Sequence, residues 1–124
     1  MVPMSAPFVI HHHAGHGPDH YDLMLGHGEA LATWQVPRPP GELREGETLP
    51  ARRLGDHRAA YLEYEGPVSR GRGEVKRIDR GECELIEAGE DRWEFVLRGQ
   101  SLAGRFELRR TAPPDEWTLR RFRA

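Results

Sequence analysis

Apolar side chains recur at every second residue along most of this chain, and that spacing leaves little room for helices. Leu23 to Leu25, Leu31 to Val36, Val75 to Ile78, Trp93-x-Phe95-x-Leu97, Phe106-x-Leu108 and Trp117-x-Leu119 place apolar groups on one side and Arg, Glu or Lys on the other. Successive side chains of an extended backbone point to opposite faces, so these segments predict half-buried antiparallel strands. No convincing stretch repeats at the helical period of about 3.6 residues. Turn signals separate the segments: Gly26-His27-Gly28, Gly71-Arg72-Gly73, Asp79-Arg80-Gly81, Ala88-Gly89-Glu90-Asp91 and Arg98-Gly99-Gln100. Residues 37–50, rich in Pro and Gly, predict one long irregular surface loop. About eight or nine short strands in an open sheet would leave exposed edges, so the expected fold is all-β, a small antiparallel β-barrel of about eight strands.

A length of 124 residues suits a single domain spanning 1–124. The 14 Gly and 10 Pro supply turns without reaching the share typical of unstructured chains. A formal net charge of -2 argues against bulk charge holding the chain on nucleic acid. The distribution is more telling: residues 1–50 carry 2 basic and 6 acidic side chains, residues 51–124 carry 16 and 14. An anion site is therefore expected to draw on the second part. Cys83 stands alone, so no internal disulfide forms and a reducing compartment fits. With no long apolar run and no signal-like start, no membrane association is expected and the cytoplasm is the expected location.

Five of the seven histidines fall within His11 to His20, in the run His-His-His-Ala-Gly-His-Gly-Pro-Asp-His. If His20-Tyr21-Asp22 opens a strand, His20 and Asp22 share one face, roughly 6–7 Å apart, with Tyr21 on the other. One of His11 to His13 would complete two imidazoles and a carboxylate around a cation, with coordination positions open to substrate. On residue type and spacing alone, solvated decoration accounts for the cluster equally well. A second patch runs from Arg52-Arg53 through Asp56-His57 to Tyr61 and Glu65-Gly66. Imidazole and guanidinium both suit a phosphate oxygen, although a turn histidine and strand arginines are more often structural. Trp34, Trp93 and Trp117 sit in alternating strands and read as core residues rather than base-stacking platforms.

In order along the chain, Phe8-Val9-Ile10 with His11 to His13, His20-Tyr21-Asp22, Trp34-Gln35-Val36-Pro37, Asp56-His57, Tyr61, Glu65-Gly66, Gly73-Glu74-Val75, Asp79-Arg80-Gly81 and Leu102-Ala103-Gly104-Arg105-Phe106-Glu107-Leu108 form a pattern. It resembles the 3'-phosphoesterase domain of bacterial DNA ligase D, which also exists as stand-alone proteins. The resemblance implies a small β-barrel that binds manganese, or another divalent metal, and removes 3'-terminal phosphates or ribonucleotides from DNA or RNA-DNA 3' ends. A separate DNA ligase or end-binding protein is the implied partner.

Carried over residue by residue, the resemblance makes His20 and Asp22 metal ligands. Counting from Phe8 selects His13 as the remaining ligand, and counting back from Ala14 selects His12. His57 matches the phosphate-facing histidine and Tyr61 the tyrosine that assists it. Two family arginines are replaced, by Met24 and Leu49, and Arg53 is expected to substitute from the face of His57 because the two share strand parity. The seven residues before Phe8 hold no counterpart of the family's charged arm, which puts ribonucleotide removal in question. The metal is expected in the barrel mouth. Two other functions fit the departures: a catalytically silent barrel that binds nucleic-acid ends, and a phosphoesterase acting on a small phosphorylated molecule.

Overall fold

A computed structural model describes residues 4–123. Its strands are β1 (Met4–Ala14), β2 (His20–His27), β3 (Ala30–Val36), β4 (Thr48–Arg58), β5 (Gly66–Pro67), β6 (Glu74–Ala88), β7 (Arg92–Gly99), β8 (Ala103–Ala112) and β9 (Glu116–Arg121). All pairings are antiparallel, in the order β1-β2-β3-β4-β9-β8-β7-β6, and β6 returns to β1. The expected eight-stranded barrel is thus closed, with the two-residue β5 added beside the start of β6. Among the described residues, no helix is long and apolar enough to cross a membrane.

Alternation fills the interior. Phe8, Ile10, Leu23, Leu25, Trp34, Phe95, Phe106 and Leu108 all turn inward and are fully buried. Trp34 meets Trp93 and Trp117 edge to face at 5.0 and 5.5 Å between ring centroids, as quadrupoles prefer. The three tryptophans are core residues, as expected. Cys83 is buried among them, and burial pushes its thiol up to about 12.

Two features depart from the alternation pattern read along the chain. Asp79-Arg80-Gly81 lies inside β6 rather than in a turn. Its turn-like residues serve the neighbouring β7–β8 connection: Asp79 accepts hydrogen bonds from the backbone N–H of Gln100 at 2.7 Å and of Leu102 at 2.8 Å. A Cβ on Gly81 would lie 2.1 Å from the Arg98 carbonyl oxygen, so only glycine lets β6 and β7 approach there. The predicted loop at 37–50 also ends early, since β4 begins at Thr48 and Leu49 enters the core.

On the outer wall of β7 and β8, Glu94 and Glu107 face each other and lie buried beneath arginines. Arg92 bonds both, at 2.9 Å to Glu94 and 2.5 Å to Glu107, while Arg105 bonds Glu94 and Arg109 bonds Glu107. Burial works to raise both carboxyl pKa values, but the guanidinium hydrogen bonds outweigh it and hold them below the usual range. Carboxylates shifted in that direction stabilise the fold above the ordinary glutamate pKa and lose that contribution as pH falls through their lowered values. Guanidinium denaturation of a Glu94→Gln/Glu107→Gln double variant is therefore expected to show a loss of about 1–3 kcal/mol at neutral pH. Below about pH 4.5 its stability should depend on pH less than that of the parent.

Candidate metal and phosphate site

β1 and β2 pair so that His13 lies opposite His20 and His11 opposite Asp22. Residues directly opposite in an antiparallel pair share a face. That face is the outer wall: Val9 and Met24, one step along the same ladder, belong to a small apolar cluster separate from the barrel interior. The site therefore sits on the outside of the barrel rather than in its mouth, because the inward positions are already filled by core side chains. A short 3-10 turn, Ala59–Leu62, brings Tyr61 and Leu62 down onto Val9, Met24 and Leu31 and roofs this wall.

His13, His20 and Asp22 converge, with candidate ligand atoms all within 4.8 Å of one another. His13 Nδ1 is 3.8 Å and His20 Nε2 3.5 Å from the Asp22 carboxylate. The other nitrogen of each ring faces a carbonyl oxygen, which only accepts: His13 Nε2 donates to Arg72 at 2.6 Å, and His20 Nδ1 lies 3.4 Å from Pro18. Those partners set the tautomers and leave a lone pair of each imidazole aimed at Asp22, the usual outer support of a metal-binding histidine. Asp22 is only 5% exposed, and its Oδ1 has no hydrogen-bond partner. Burial raises its pKa, with His20, His13 and His57 pulling the other way. A buried carboxylate oxygen without a partner is costly, and a divalent cation would relieve it. Two imidazole nitrogens and one carboxylate oxygen suit such an ion.

His12 stands apart from this group. As the next residue along β1 it turns to the opposite face, stacks on Tyr21 at 4.8 Å and bonds Asp19 at 3.0 Å. His11 is 1% exposed beside Tyr61, with its ring edge-on at 6.1 Å. Burial lowers its pKa to about 4, so the ring is neutral at pH 7. His57 lies on the same wall, opposite Leu31, with its ring 5.4 Å from Tyr61. Its Nδ1 donates to the Gly55 carbonyl at 2.9 Å, which leaves Nε2 free.

Arg53 does not share that wall. The β3–β4 register passes from Leu31↔His57 to Thr33↔Leu54, so β4 carries one extra residue there. Such a bulge reverses strand parity. Arg53 is therefore opposite Trp34 and lies over its ring at 4.3 Å, at the interior end of the tryptophan cluster. The parity expected between Arg53 and His57 fails for this reason. A second bulge, at Ile78 in β6, has the converse effect and puts Arg77 opposite His11 on the outer wall. Sequence reading missed Arg77 and the tautomer-setting carbonyls, since alternation alone assigns the wrong face after a bulge and backbone oxygens carry no sequence signal. Met24 is fully buried beneath Tyr61 and Leu62, and Leu49 is in the core, so neither family-arginine position offers a cation.

A family model described as the DNA ligase D 3'-phosphoesterase domain matches residues 10–110. No curated protein matches the chain.

The geometry separates the two candidates for the first ligand in a melting experiment. Manganese chloride at about a hundredfold excess over its dissociation constant should stabilise the protein by about 2.7 kcal/mol. His13→Ala, His20→Ala and Asp22→Ala should abolish that rise in melting temperature, and His12→Ala should keep it. The reverse result for His12 and His13 would move the site to the other face.

Proposed function

Because the chain belongs to the DNA ligase D 3'-phosphoesterase family, we propose that it is a metal-dependent phosphoesterase that removes 3'-terminal phosphates from nucleic-acid ends. The observation that carries the proposal is the convergence on the buried Asp22 carboxylate, one oxygen of which has no hydrogen-bond partner, of two imidazoles whose other nitrogens face carbonyls. His13, His20 and Asp22 hold the cation, for which manganese is the proposed identity. When bound, a divalent cation there supplies charge to offset the phosphate and lowers the pKa of water.

The protein's own groups divide the rest of the work. His57, with Nδ1 held by Gly55, presents Nε2 to the phosphate. In its charged form it gives a proton to the departing 3' oxygen as the phosphorus–oxygen bond breaks and water adds to phosphorus. Tyr61 packs against that ring and excludes water from one side. Neutral His11 packs edge-on against the Tyr61 ring and so positions the roof. Arg53 is left out of the reacting set and acts as a cationic cap on Trp34. The product, a 3'-hydroxyl end, is what a separate DNA ligase joins. DNA and RNA-DNA ends are the proposed substrates, and the cytoplasm is the proposed location.

A second reading, end binding without turnover, is favoured by one observation: the buried Met24 leaves no guanidinium beside Asp22 at the position of a family arginine. Release of inorganic phosphate from a 3'-phosphorylated primer–template in manganese separates the two. Turnover should vanish in EDTA and fall by several orders of magnitude in His20→Ala and Asp22→Ala, and His57→Ala should lose about 10²–10⁴-fold in kcat. Ends that bind while releasing no phosphate would establish the silent reading instead.

A further inference from the structure

Behind Tyr61 the wall opens into a cavity of about 250 Å³ lined by Arg58, Tyr61, Tyr64, Pro67, Val68 and Ser69, among others. Its aromatic side is fixed in place. Tyr64 meets Tyr61 edge to face at 5.7 Å, and its hydroxyl donates to the Pro67 carbonyl. That bond needs Gly66, whose φ is +136° and where a Cβ would stand 3.2 Å from the Tyr64 hydroxyl. The far side is tied to the candidate metal site. Arg72 donates through Nε to the Ser69 carbonyl at 2.9 Å, while its own carbonyl accepts from His13 at 2.6 Å. Tyr61 thus touches His57 on one side and the cavity on the other.

The cavity also carries an uncommitted charge. Arg92, Arg98, Arg105, Arg109, Arg110 and Arg120 all pair with carboxylates, whereas Arg58 is among the described residues that pair with none. Arg58 is exposed at the cavity, directly after His57 in sequence. A tyrosine-walled recess beside a phosphate-facing imidazole, edged by a cation with no partner, matches an aromatic base attached to a phosphodiester.

We infer that this cavity seats the base of the 3'-terminal nucleotide in a single-stranded end. The base packs against Tyr64, and Arg58 meets the phosphate on the 5' side of the same nucleotide. The inference rests on the phosphoesterase reading for the placement of the terminal phosphate. It makes the preferred substrate a polynucleotide rather than a small phosphate ester, with tolerance of base identity, because every base has a π-face.

Fluorescence anisotropy tests this in EDTA, where nothing is cleaved. A fluorescein-labelled single-stranded oligonucleotide ending in a 3'-phosphate is compared with the same strand whose last residue is abasic. The wild type should bind the complete strand about tenfold more tightly. Tyr64→Ala should bind both alike, and Tyr64→Phe should keep most of the preference. Arg58→Ala should weaken both strands and reduce the slope of log affinity against log salt by about 0.7. Equal binding of the two strands by the wild type, a base preference that survives Tyr64→Ala, or an unchanged slope in Arg58→Ala overturns the seat. Phosphate release in manganese without a base preference overturns the seat and leaves the reaction standing; a base preference without phosphate release does the opposite.

Discussion

Closure of β6 onto β1 is the constraint on which the rest of this structure depends. A sheet that closes has an inside of fixed volume and no spare edge, so every strand must commit alternate side chains to one filled interior. Three tryptophans and a set of leucines and phenylalanines occupy that interior completely. No room is left there for a hydrated cation or a phosphate. Chemistry is confined to the outer wall, and it needs a local roof to gain any burial. The Ala59–Leu62 turn supplies that roof, resting on Val9, Met24 and Leu31. This is why a position occupied by arginine in the family holds a methionine here without leaving a void: the side chain props Tyr61 instead of facing solvent.

Two bulges decide which residues reach that wall. In β4 the extra residue turns His57 outward and leaves Arg53 inside; in β6 the extra residue at Ile78 turns Arg77 outward while Asp79, Gly81, Cys83 and Leu85 keep the inward parity. A bulge inserts one residue and reverses the assignment of every side chain beyond it. Arg77 thus stands opposite His11 on one side, and His57 reaches the same wall from the other.

Much of this was legible in the chain, and the failures share one cause. Alternating apolar residues at 93–97, 106–108 and 117–119 lie where β7, β8 and β9 lie, and the strand count led to the closed barrel. Strand periodicity placed His20 and Asp22 on one face, the resemblance pointed to His13 as the remaining ligand, and the uninterrupted β1–β2 ladder brings the three together. The same periodicity misplaced Arg53, since simple alternation passes over the β4 bulge that Gly55 inside a strand pattern marks. It also read Asp79-Arg80-Gly81 as a turn. Asp and Gly favour turns when they satisfy their own backbone, but here Asp79 satisfies a neighbour's and Gly81 makes way for one. Local sequence cannot distinguish a residue that makes a turn from one that packs beneath it.

The arrangement of charge completes the division of the surface. On β7 to β9, Arg92, Arg105, Arg109 and Arg120 are paired with the buried Glu94 and Glu107, which ties strands together but removes those cations from any interaction with an anionic partner. A guanidinium that is already bonded to a carboxylate must lose that bond before it can meet a phosphate. Arg58, Arg70 and Lys76 have no such bond to lose, and all three lie in or beside the segment that runs from His57 to β6. The net charge of -2 therefore says little about affinity for an anion. What governs it is how many cations remain uncommitted and where they stand, and one of them, Arg58, stands directly beside His57.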